Sequence, residues 1–180
     1  ASCGKVPFVC TSGSFLSYRA IEFIRDDICF ANANVKIVGM GSGLSWGNLG
    51  PTHHTTEDIS MLRVLPNLKI LSASTPIQAS ACIEAAYRYK GPVYIRIEMT
   101  GEKEFFEEDY VLTDSNDVIQ DGEDLLIVST GSIIEEANKA CELLKKDIYP
   151  GLIEVVKDLK MKDLFTSSVR LTVFSLTSIT

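Results

Sequence analysis

The sequence predicts an α/β fold in which a parallel sheet is flanked by helices. Four short runs rich in β-branched and aliphatic residues alternate with longer segments whose apolar residues recur at helical spacing. This alternation is typical of parallel strands joined by crossover helices. The runs are apolar along nearly their whole length, which is the pattern of strands buried on both faces.

The first part of the chain contains the predicted sheet and three predicted helices. The strands are Val6–Thr11, Val35–Met40, Leu68–Ala73 and Val93–Glu98. The helices are Ser14–Ile28, Thr56–Leu65 and Thr75–Tyr89. Ser14 and Thr56 are possible N-caps, because their hydroxyls can accept a backbone N–H. Pro66 ends the second helix, and Pro76 suits the first turn of the third.

A second α/β unit is predicted after an acidic segment. Thr100–Gly122 lacks helical periodicity and indicates a linker with at most one or two short strands. The elements predicted beyond it are a strand at Leu125–Thr130, helices at Ile133–Lys146 and Leu152–Leu164, and a strand at Val169–Leu176. We therefore divide the chain into a first domain over residues 1–100, a linker over residues 101–122, and the start of a second α/β domain over residues 123–180.

Composition and charge disfavour several classes of protein. The chain has 180 residues, of which 46% are hydrophobic and 23% charged, and its formal net charge is −7. Basic residues are scattered among acidic ones, so a nucleic-acid partner is not expected. No apolar run approaches the roughly 18–20 residues that span a bilayer, so no membrane segment is expected. The five cysteines form no C-x-x-C pair, which indicates a reducing, cytoplasmic environment.

The glycine-rich loop after the second strand reads GMGSGLSWGNLGPTHHTTED over Gly39–Asp58. A dinucleotide-binding loop needs G-x-G-x-x-G, and here Leu44 or Trp46 stands where the third glycine would fall. The loop also lacks the G-K-S/T of a Walker phosphate-binding loop. These patterns therefore disfavour a general α/β nucleotide-binding module.

Two adjacent histidines near the end of this loop are the next candidates for chemistry. His53 and His54 point to opposite sides if the loop is extended, so they do not easily share one ion. Zinc ligands are also usually more widely spaced, and we assign no metal ligand in this chain. Glycines let the backbone pass close to a ligand, so the loop can deliver His53 into a pocket. The alternative is a histidine that is solvated or merely packed.

The same loop resembles a segment of the transketolase family. GPTHHTTEDISMLRVLPNLKIL is similar to the G-P-T-H-x-x-x-E-D-x-x-x-x-R-x-x-P-N motif of that family's pyrimidine-binding domain. PFVCTSGSFLSYRAIEFIR resembles its P-F-x-x-T-F-x-x-F-x-x-x-A-x-x-x-x-R motif. GPVYIRIE and EDLLIVSTGS also match, in order and at similar spacing. The resemblance covers about residues 1–147 and extends to the segment Val169–Thr180. It marks the first domain as pyrimidine-binding and the last segment as the start of the family's C-terminal domain.

The resemblance implies a thiamine diphosphate-binding fold, with the cofactor bound between two chains and Mg²⁺ or Ca²⁺ at its diphosphate. The reaction implied is transfer of a two-carbon ketol unit between ketose and aldose substrates, which are sugars or sugar phosphates. Phe15 falls where the family stacks a ring on the cofactor's aminopyrimidine, Tyr18 packs beside it, and His53 faces the substrate as a catalytic and substrate-binding residue. On spacing alone, Phe15 and Tyr18 equally fit one core stripe of a helix.

Three positions depart from the family pattern. Ser12 stands for a phenylalanine of the pyrimidine pocket, Leu49 for an aspartate that contacts substrate hydroxyls, and Met99 for an arginine that holds a sugar phosphate. These departures favour a substrate that is less hydroxylated or lacks a phosphate at that end. Glu57 and Asp58 are expected to serve the positive end of the following helix rather than catalysis.

The resemblance also implies parts that these 180 residues do not include. They are a glutamate that activates the cofactor and the domain that binds its diphosphate and metal. The chain is therefore expected to act in a homo-oligomer or with a separate diphosphate-binding subunit, either as a split transketolase subunit or as a fragment of a longer chain. The alternatives are a 1-deoxyxylulose-5-phosphate synthase-like enzyme, a β subunit of a 2-oxo acid dehydrogenase, which the GPTHH segment fits less well, and a non-catalytic assembly or regulatory subunit.

Overall fold

Four parallel strands and one short antiparallel strand form the sheet that carries the candidate site. The computed structural model describes residues 1–99, 103–113, 117–121, 126–146, 172–175 and 178–179. The parallel strands are β1 (Phe8–Ser12), β2 (Lys36–Met40), β3 (Lys69–Ser72) and β4 (Val93–Ile97). They lie in the order β1-β2-β4-β3 and pair in parallel. The α/β fold predicted from the sequence is therefore confirmed.

The register of this sheet places the carboxyl ends of its strands at one edge. Thr11 pairs with Gly39, and Gly39 pairs with Arg96. Arg96 also pairs with Ser72 on the other side. The segments that follow the strands therefore begin side by side. In parallel α/β sheets, this edge is where ligands bind.

The segment after β1 is helical, but it is not the regular α-helix predicted over Ser14–Ile28. It consists of a π-helix at Phe15–Arg19, one α-helical turn, α1 (Ile21–Phe23), and a second π-helix at Ile24–Phe30. The residues that it buries among apolar neighbours are Leu16, Ile24 and Cys29. Phe23, in the same segment, is 63% exposed. Because π turns are wider than α turns, they rotate side chains away from the positions that a period of 3.6 predicts.

The next two helices lie where the sequence predicts them. α2 (Asp58–Leu62) is shorter than predicted, and α3 (Pro76–Arg88) begins at its proline, as predicted. The backbone N–H of Gln78 donates to Thr75 Oγ1 at 3.3 Å, so Thr75 caps α3. Between β2 and α2, a 3-10 turn at Gly47–Leu49 interrupts the glycine-rich loop.

Ser14 occupies the N-cap position of the first π-helix, as predicted, whereas the N-cap residue of α2 is Glu57 and not Thr56; both predicted hydroxyls bond elsewhere. Ser14 Oγ donates to the carbonyl oxygen of Thr52 at 3.2 Å. Thr56 Oγ1 donates to the Glu57 carboxylate at 2.8 Å. Neither the first π-helix nor α2 has a side-chain cap bond. The Ser14 hydroxyl instead connects the start of the helical segment to the loop that carries His53.

Apolar side chains cover both faces of the sheet. One cluster joins the segment after β1 and α2 to the sheet; its buried members are Leu16, Ile24, Cys29, Val35, Ile37, Leu62, Leu65, Ile70 and Tyr94. The other joins α3 to the sheet through Val38, Leu71, Ala73, Cys82, Ala86, Val93 and Ile95. Ile37 and Val38 are neighbours in β2 but belong to different clusters, because successive side chains of a strand point to opposite faces.

A second, smaller sheet contains three strands among the described residues: β5 (Asp117–Gln120), β6 (Leu126–Ser129) and β7 (Thr172–Ser175). Their order is β5-β7-β6, with β6 parallel and β5 antiparallel to β7. The strand β5 lies inside the segment predicted as a linker. The strand predicted at Val169–Leu176 includes β7.

The remaining described elements are a turn and a helix after β6 and one last strand. A 3-10 turn at Gly131–Ile133 leads into α4 (Ile134–Lys146). A short last strand, β8 (Ser178–Ile179), pairs antiparallel with β3 of the first sheet. The helix predicted over Leu152–Leu164 lies outside the described residues. In the part of the chain that the structure describes, no helix is both long and apolar enough to cross a membrane.

Candidate active site

Three aromatic side chains meet at the carboxyl edge of the first sheet. The ring centroids of Phe15 and His53 lie 5.3 Å apart, with their planes tilted by 56°. Trp46 approaches His53 edge-on, with 6.0 Å between centroids. Phe15 follows β1, whereas Trp46 and His53 lie in the loop after β2, so the pairing of β1 with β2 brings them together. All three are half-buried, which leaves an aromatic surface for a flat ligand.

Hydrogen bonds hold the loop that carries His53. Gly43 and Thr55 form an antiparallel bridge, in which the Gly43 N–H donates to Thr55 O at 3.0 Å and the Thr55 N–H to Gly43 O at 2.9 Å. The His53 N–H donates to the Gly50 carbonyl oxygen at 3.0 Å. The Thr52 hydroxyl lies 2.9 Å from His53 Nδ1. One ring nitrogen is therefore fixed by the loop itself.

Small polar residues at the end of β1 pack against this loop. The hydroxyl oxygens of Ser12 and Ser14 are 2.9 Å apart, and both residues are buried. Ser14 in turn bonds to the Thr52 carbonyl. A Cβ on Gly13 would lie 3.0 Å from Thr55 Cγ2, so the end of β1 and the loop are in direct contact. Ser12 therefore provides a buried, hydrogen-bonded hydroxyl at the position where the family pattern has an aromatic side chain.

Tyr18 lies in a neighbouring groove of about 430 Å³, which is lined by Tyr18, Pro51, His54, Thr56, Glu57 and Met61. Its hydroxyl donates to the Glu57 carboxylate. Burial, followed by this hydrogen bond, raises the pKa of the Tyr18 phenol, and the same bond lowers the pKa of the Glu57 carboxyl. Among the described residues, Tyr18 makes no ring contact with Phe15 or His53. The structure thus joins two of the three predicted site residues directly and places the third beside them.

The two adjacent histidines have different surroundings. His53 packs against Phe15 and Trp46. His54 lines the groove with Tyr18, and its Nε2 lies 3.1 Å from the Gly47 carbonyl oxygen. Within the described ranges, no group of three or more His, Cys, Asp or Glu side chains is placed to hold a metal ion.

A buried ionic network, which the motifs and spacing in the sequence do not predict, supports the site. Asp58 is 1% exposed, and its Oδ2 accepts from the Tyr94 hydroxyl at 2.9 Å and from Arg96 Nε at 3.1 Å. Arg96 Nη1 also donates to Glu98 Oε1 at 2.6 Å. Burial, and then Asp58, raise the pKa of Tyr94 well above its ordinary value, so the phenol remains a donor. The signal in the sequence is the alternation of Tyr94, Arg96 and Glu98 along an otherwise apolar strand.

The family of this chain follows from its first domain. The family model described as "Transketolase, pyrimidine binding domain" matches residues 1–100. The chain belongs to the transketolase family.

Relatives within the transketolase family include split forms. An apulose-4-phosphate transketolase subunit of Actinobacillus succinogenes is 36% identical over 154 residues, which are 84% of this chain and 50% of the relative. The subunit of the same name from Phocaeicola vulgatus is 32% identical over 149 residues, which are 81% and 47% of the two chains. A solved structure described as "Split gene transketolase, inactive beta4 tetramer" matches with a TM-score of 0.78 and 28% identity, over 99% of this chain and 51% of that one. The chain thus spans about half the length of these relatives.

Two positions at which the chain departs from the family pattern are exposed. Leu49, in the 3-10 turn, is 52% exposed, and Met99, after β4, is 55% exposed. The Met99 N–H donates to Ser45 Oγ at 3.3 Å. The Met99 side chain also borders, with Met40, a largely apolar cavity of about 470 Å³ at the carboxyl ends of β2 and β4. The surroundings of Met99 are therefore apolar where the family pattern has an arginine.

Glu98 connects the first sheet to the helix of the second unit. Its Oε2 accepts from the Ser132 N–H at 3.0 Å and also from the Ser132 hydroxyl. Gly131 has a φ of +75°, and a Cβ there would collide with the Glu98 carboxylate. Only glycine therefore lets the turn approach so closely. The carboxylate lies at the positive N-terminal end of the turn that leads into α4.

Proposed function

We propose that this chain provides the pyrimidine-binding side of a thiamine diphosphate site in a transketolase-type enzyme, which transfers a two-carbon ketol unit between ketose and aldose substrates. The observation that carries the proposal is the pairing of Phe15 with His53 at 5.3 Å. It occurs at the sheet edge where α/β proteins bind ligands. The family membership of residues 1–100 supports the same site.

The aromatic surface fits the flat aminopyrimidine half of thiamine diphosphate. Phe15 is half-buried, so its ring is held in place and remains reachable. A stacked aromatic pair adds about 0.5–1.5 kcal/mol beyond the burial of area. Tyr18 flanks the pyrimidine from the adjacent groove, with its hydroxyl fixed by Glu57. The diphosphate and its Mg²⁺ or Ca²⁺ are assigned to a second polypeptide.

His53 acts on the substrate through Nε2. When the Thr52 hydroxyl donates to Nδ1, at 2.9 Å, the proton of the neutral imidazole resides on Nε2. That N–H can donate to a substrate hydroxyl, and the imidazole can pass a proton to or from the substrate. Thiamine diphosphate, when bound, supplies carbanion stabilisation for the two-carbon transfer.

The partner proposed for this site is a separate diphosphate-binding subunit, or another copy of a longer chain in a homo-oligomer. Two relatives are named as subunits of apulose-4-phosphate transketolases. A similar split gene transketolase is described as an inactive beta4 tetramer. Both descriptions favour a site that a second polypeptide must complete.

The substrate class proposed is a sugar or sugar phosphate that needs few polar contacts at one end. Leu49 and Met99 are exposed apolar side chains. Neither side chain is a good hydrogen-bond acceptor for a hydroxyl, and neither carries a charge that could neutralise a phosphate. Two relatives are named for apulose 4-phosphate, which is consistent with a phosphorylated sugar held at its other end.

Calorimetric titration with thiamine diphosphate and Mg²⁺ tests the proposal, on the chain alone and on the chain co-expressed with a diphosphate-binding subunit. We expect Phe15→Ala to weaken binding by about two- to tenfold, because it removes the stacking contribution. Phe23→Ala is the matched control, since Phe23 belongs to the same helical segment and is 63% exposed. Equal losses in the two variants would contradict the stacking role of Phe15.

The other possible outcomes identify the alternatives. No binding with or without the second subunit would favour a non-catalytic assembly or regulatory subunit, which the departures at Ser12, Leu49 and Met99 motivate. Formation of 1-deoxyxylulose 5-phosphate by the complex would favour a synthase-like enzyme instead.

A further inference from the structure

We propose that Arg19 belongs to the same site and covers the stacking face of Phe15 until a ligand displaces it; this role rests on the function proposed above. The guanidinium carbon of Arg19 lies over the Phe15 ring, 4.3 Å from its centroid. A cation thus sits on the ring that receives the flat half of the cofactor. Neither the motifs in the sequence nor the spacing of its apolar residues marks Arg19.

The local helix geometry produces this contact. Phe15 and Arg19 are the first and last residues of the first π-helix. The Ala20 N–H donates to the Phe15 carbonyl oxygen at 3.2 Å, which is the i→i+5 bond of a π-helix. Side chains four residues apart lie on one face of a helical turn. The arginine therefore reaches the phenyl ring without help from distant parts of the chain.

Arg19 has no competing protein partner in the described part of the chain. It is exposed, and no ion pair or hydrogen bond of its guanidinium occurs there. The next arginine of the segment, Arg25, pairs with Asp26 at 2.6 Å. The acidic group near the site, Glu57, bonds to Tyr18. The contact with Phe15 is therefore what holds the Arg19 side chain, and an exposed cation–π contact is weak enough for a ligand ring to replace.

A flat ligand competes with this guanidinium for the same ring. Phe15 is half-buried, and His53 approaches it with a tilted plane at 5.3 Å. A ligand that stacks on the face of Phe15 under Arg19 must displace the guanidinium. The cost of displacing an exposed cation–π contact corresponds to about two- to fivefold in affinity.

Titration of the complex with thiamine diphosphate and Mg²⁺ tests the proposal, with the fluorescence of Trp46 as the signal. Trp46 is the one tryptophan of the chain, and its ring lies 6.0 Å from that of His53. We expect Arg19→Gln to tighten binding about two- to fivefold. Arg25→Gln, the matched exposed arginine that pairs with Asp26, should leave the affinity unchanged. Unchanged or weaker binding in Arg19→Gln overturns the proposal.

A double variant separates this role from the proposed function. In the Phe15→Ala background, Arg19→Gln should have no further effect, because the ring that holds the guanidinium is gone; a persisting effect overturns the proposal. If Phe15→Ala alone leaves the affinity unchanged, the proposed function fails. If Phe15→Ala weakens binding but Arg19→Gln does not tighten it, only the role of Arg19 fails.

The contact is also measurable without any ligand. In proton NMR spectra of the free chain, the ring current of Phe15 should shift the Arg19 side-chain signals upfield, and Phe15→Leu should abolish the shift. Saturation with thiamine diphosphate and Mg²⁺ should return these signals to positions typical of an exposed arginine. Unshifted signals in the free chain, or shifts that survive saturation, overturn the proposal.

Discussion

At the scale of single residues, the orientation of His53 depends on a glycine and a hydroxyl. Gly41 has a φ of +66°, and a Cβ there would lie 2.5 Å from the Trp46 ring. A larger residue at this position would therefore move the ring that packs edge-on against His53. The Thr52 hydroxyl forms a hydrogen bond with Nδ1 of the same imidazole. Both contacts restrict the imidazole, as proton transfer to a positioned substrate requires.

His53→Asn tests the proposed catalytic role at this scale. We expect kcat/KM for ketol transfer by the complex to fall by about 10²–10⁴-fold, the typical contribution of a positioned acid–base group. The affinity for thiamine diphosphate should change much less, because Phe15 remains. His54→Asn is the control, since this neighbouring imidazole lies in the other groove. Comparable losses of activity in both variants would argue against a specific role for His53.

At the scale of elements, a buried lysine at the start of β2 holds the end of α3. Lys36 is 0% exposed. Its ammonium group donates to the carbonyl oxygens of Tyr89 at 2.8 Å and Gly91 at 2.7 Å, and to Asn34 Oδ1 at 2.7 Å. Tyr89 is the C-cap residue of α3, so the lysine bonds to carbonyl groups around the helix end, where intrahelical partners run out. Burial lowers the pKa of Lys36 to about 8.

This pKa predicts how stability depends on pH. The ordinary value is 10.5, so between about pH 8 and pH 10.5 the unfolded chain binds more protons than the folded chain. The contribution of Lys36 to the free energy of unfolding therefore increases as the pH rises through that window. The increase is at most about 1.4 kcal/mol per pH unit. Below it, both states are protonated and the contribution is constant.

Urea unfolding at about pH 7.5 and about pH 9.5 measures this effect. Lys36→Met should lose the rise in stability between the two conditions. Lys90→Met should keep it, because Lys90 is exposed. Equal pH dependence in the two variants would rule out a depressed pKa at Lys36.

At the scale of the whole molecule, carboxylates connect the two sheets. Glu98, after β4, accepts from Ser132 in the turn that leads into α4. Asp117, the first residue of β5, accepts from the Gln78 side chain of α3 at 2.8 Å. Each bond joins an element of the first domain to one of the second unit. The two units are therefore held by specific polar contacts as well as by the chain between them.

The described part of the predicted linker also contacts the first domain. The Glu104 carboxylate accepts from the Ile77 N–H at 3.0 Å, in the first turn of α3. The Tyr110 hydroxyl donates to Asp117 at 2.8 Å, and burial, followed by this bond, raises the pKa of Tyr110. Residues 103–113 are thus anchored at α3 and at β5.

Glu98→Ala tests the connection between the sheets. The change removes the acceptor of the Ser132 N–H and one partner of Arg96. Loss of such part-buried bonds should lower the free energy of unfolding by about 1–3 kcal/mol and speed proteolysis between residues 100 and 130. Glu84→Ala is the control, because Glu84 is exposed and pairs with Arg88 on the surface of α3. Limited proteolysis with mass spectrometry distinguishes them, and identical cleavage rates would contradict the connection.

The sequence by itself determined the layout of the first domain. The four β-branched runs and the proline of α3 are local signals, and the structure follows them closely. The motifs that resemble the transketolase family also singled out Phe15 and His53, which the structure brings together. Their roles in binding and catalysis remain proposals.

Tertiary structure decided what local patterns do not encode. The hydroxyls of Ser14 and Thr56 could each accept a backbone N–H at a helix start. In the folded chain, Ser14 instead donates to the Thr52 carbonyl oxygen and Thr56 donates to the Glu57 carboxylate. From the sequence, Asp58 is expected only to interact with the helix N-terminus. In the structure it is buried, and its carboxylate accepts hydrogen bonds from Tyr94 and Arg96. A polar group bonds to the best partner that the folded chain brings within reach. When that partner lies on another strand, only the pairing of the strands reveals it.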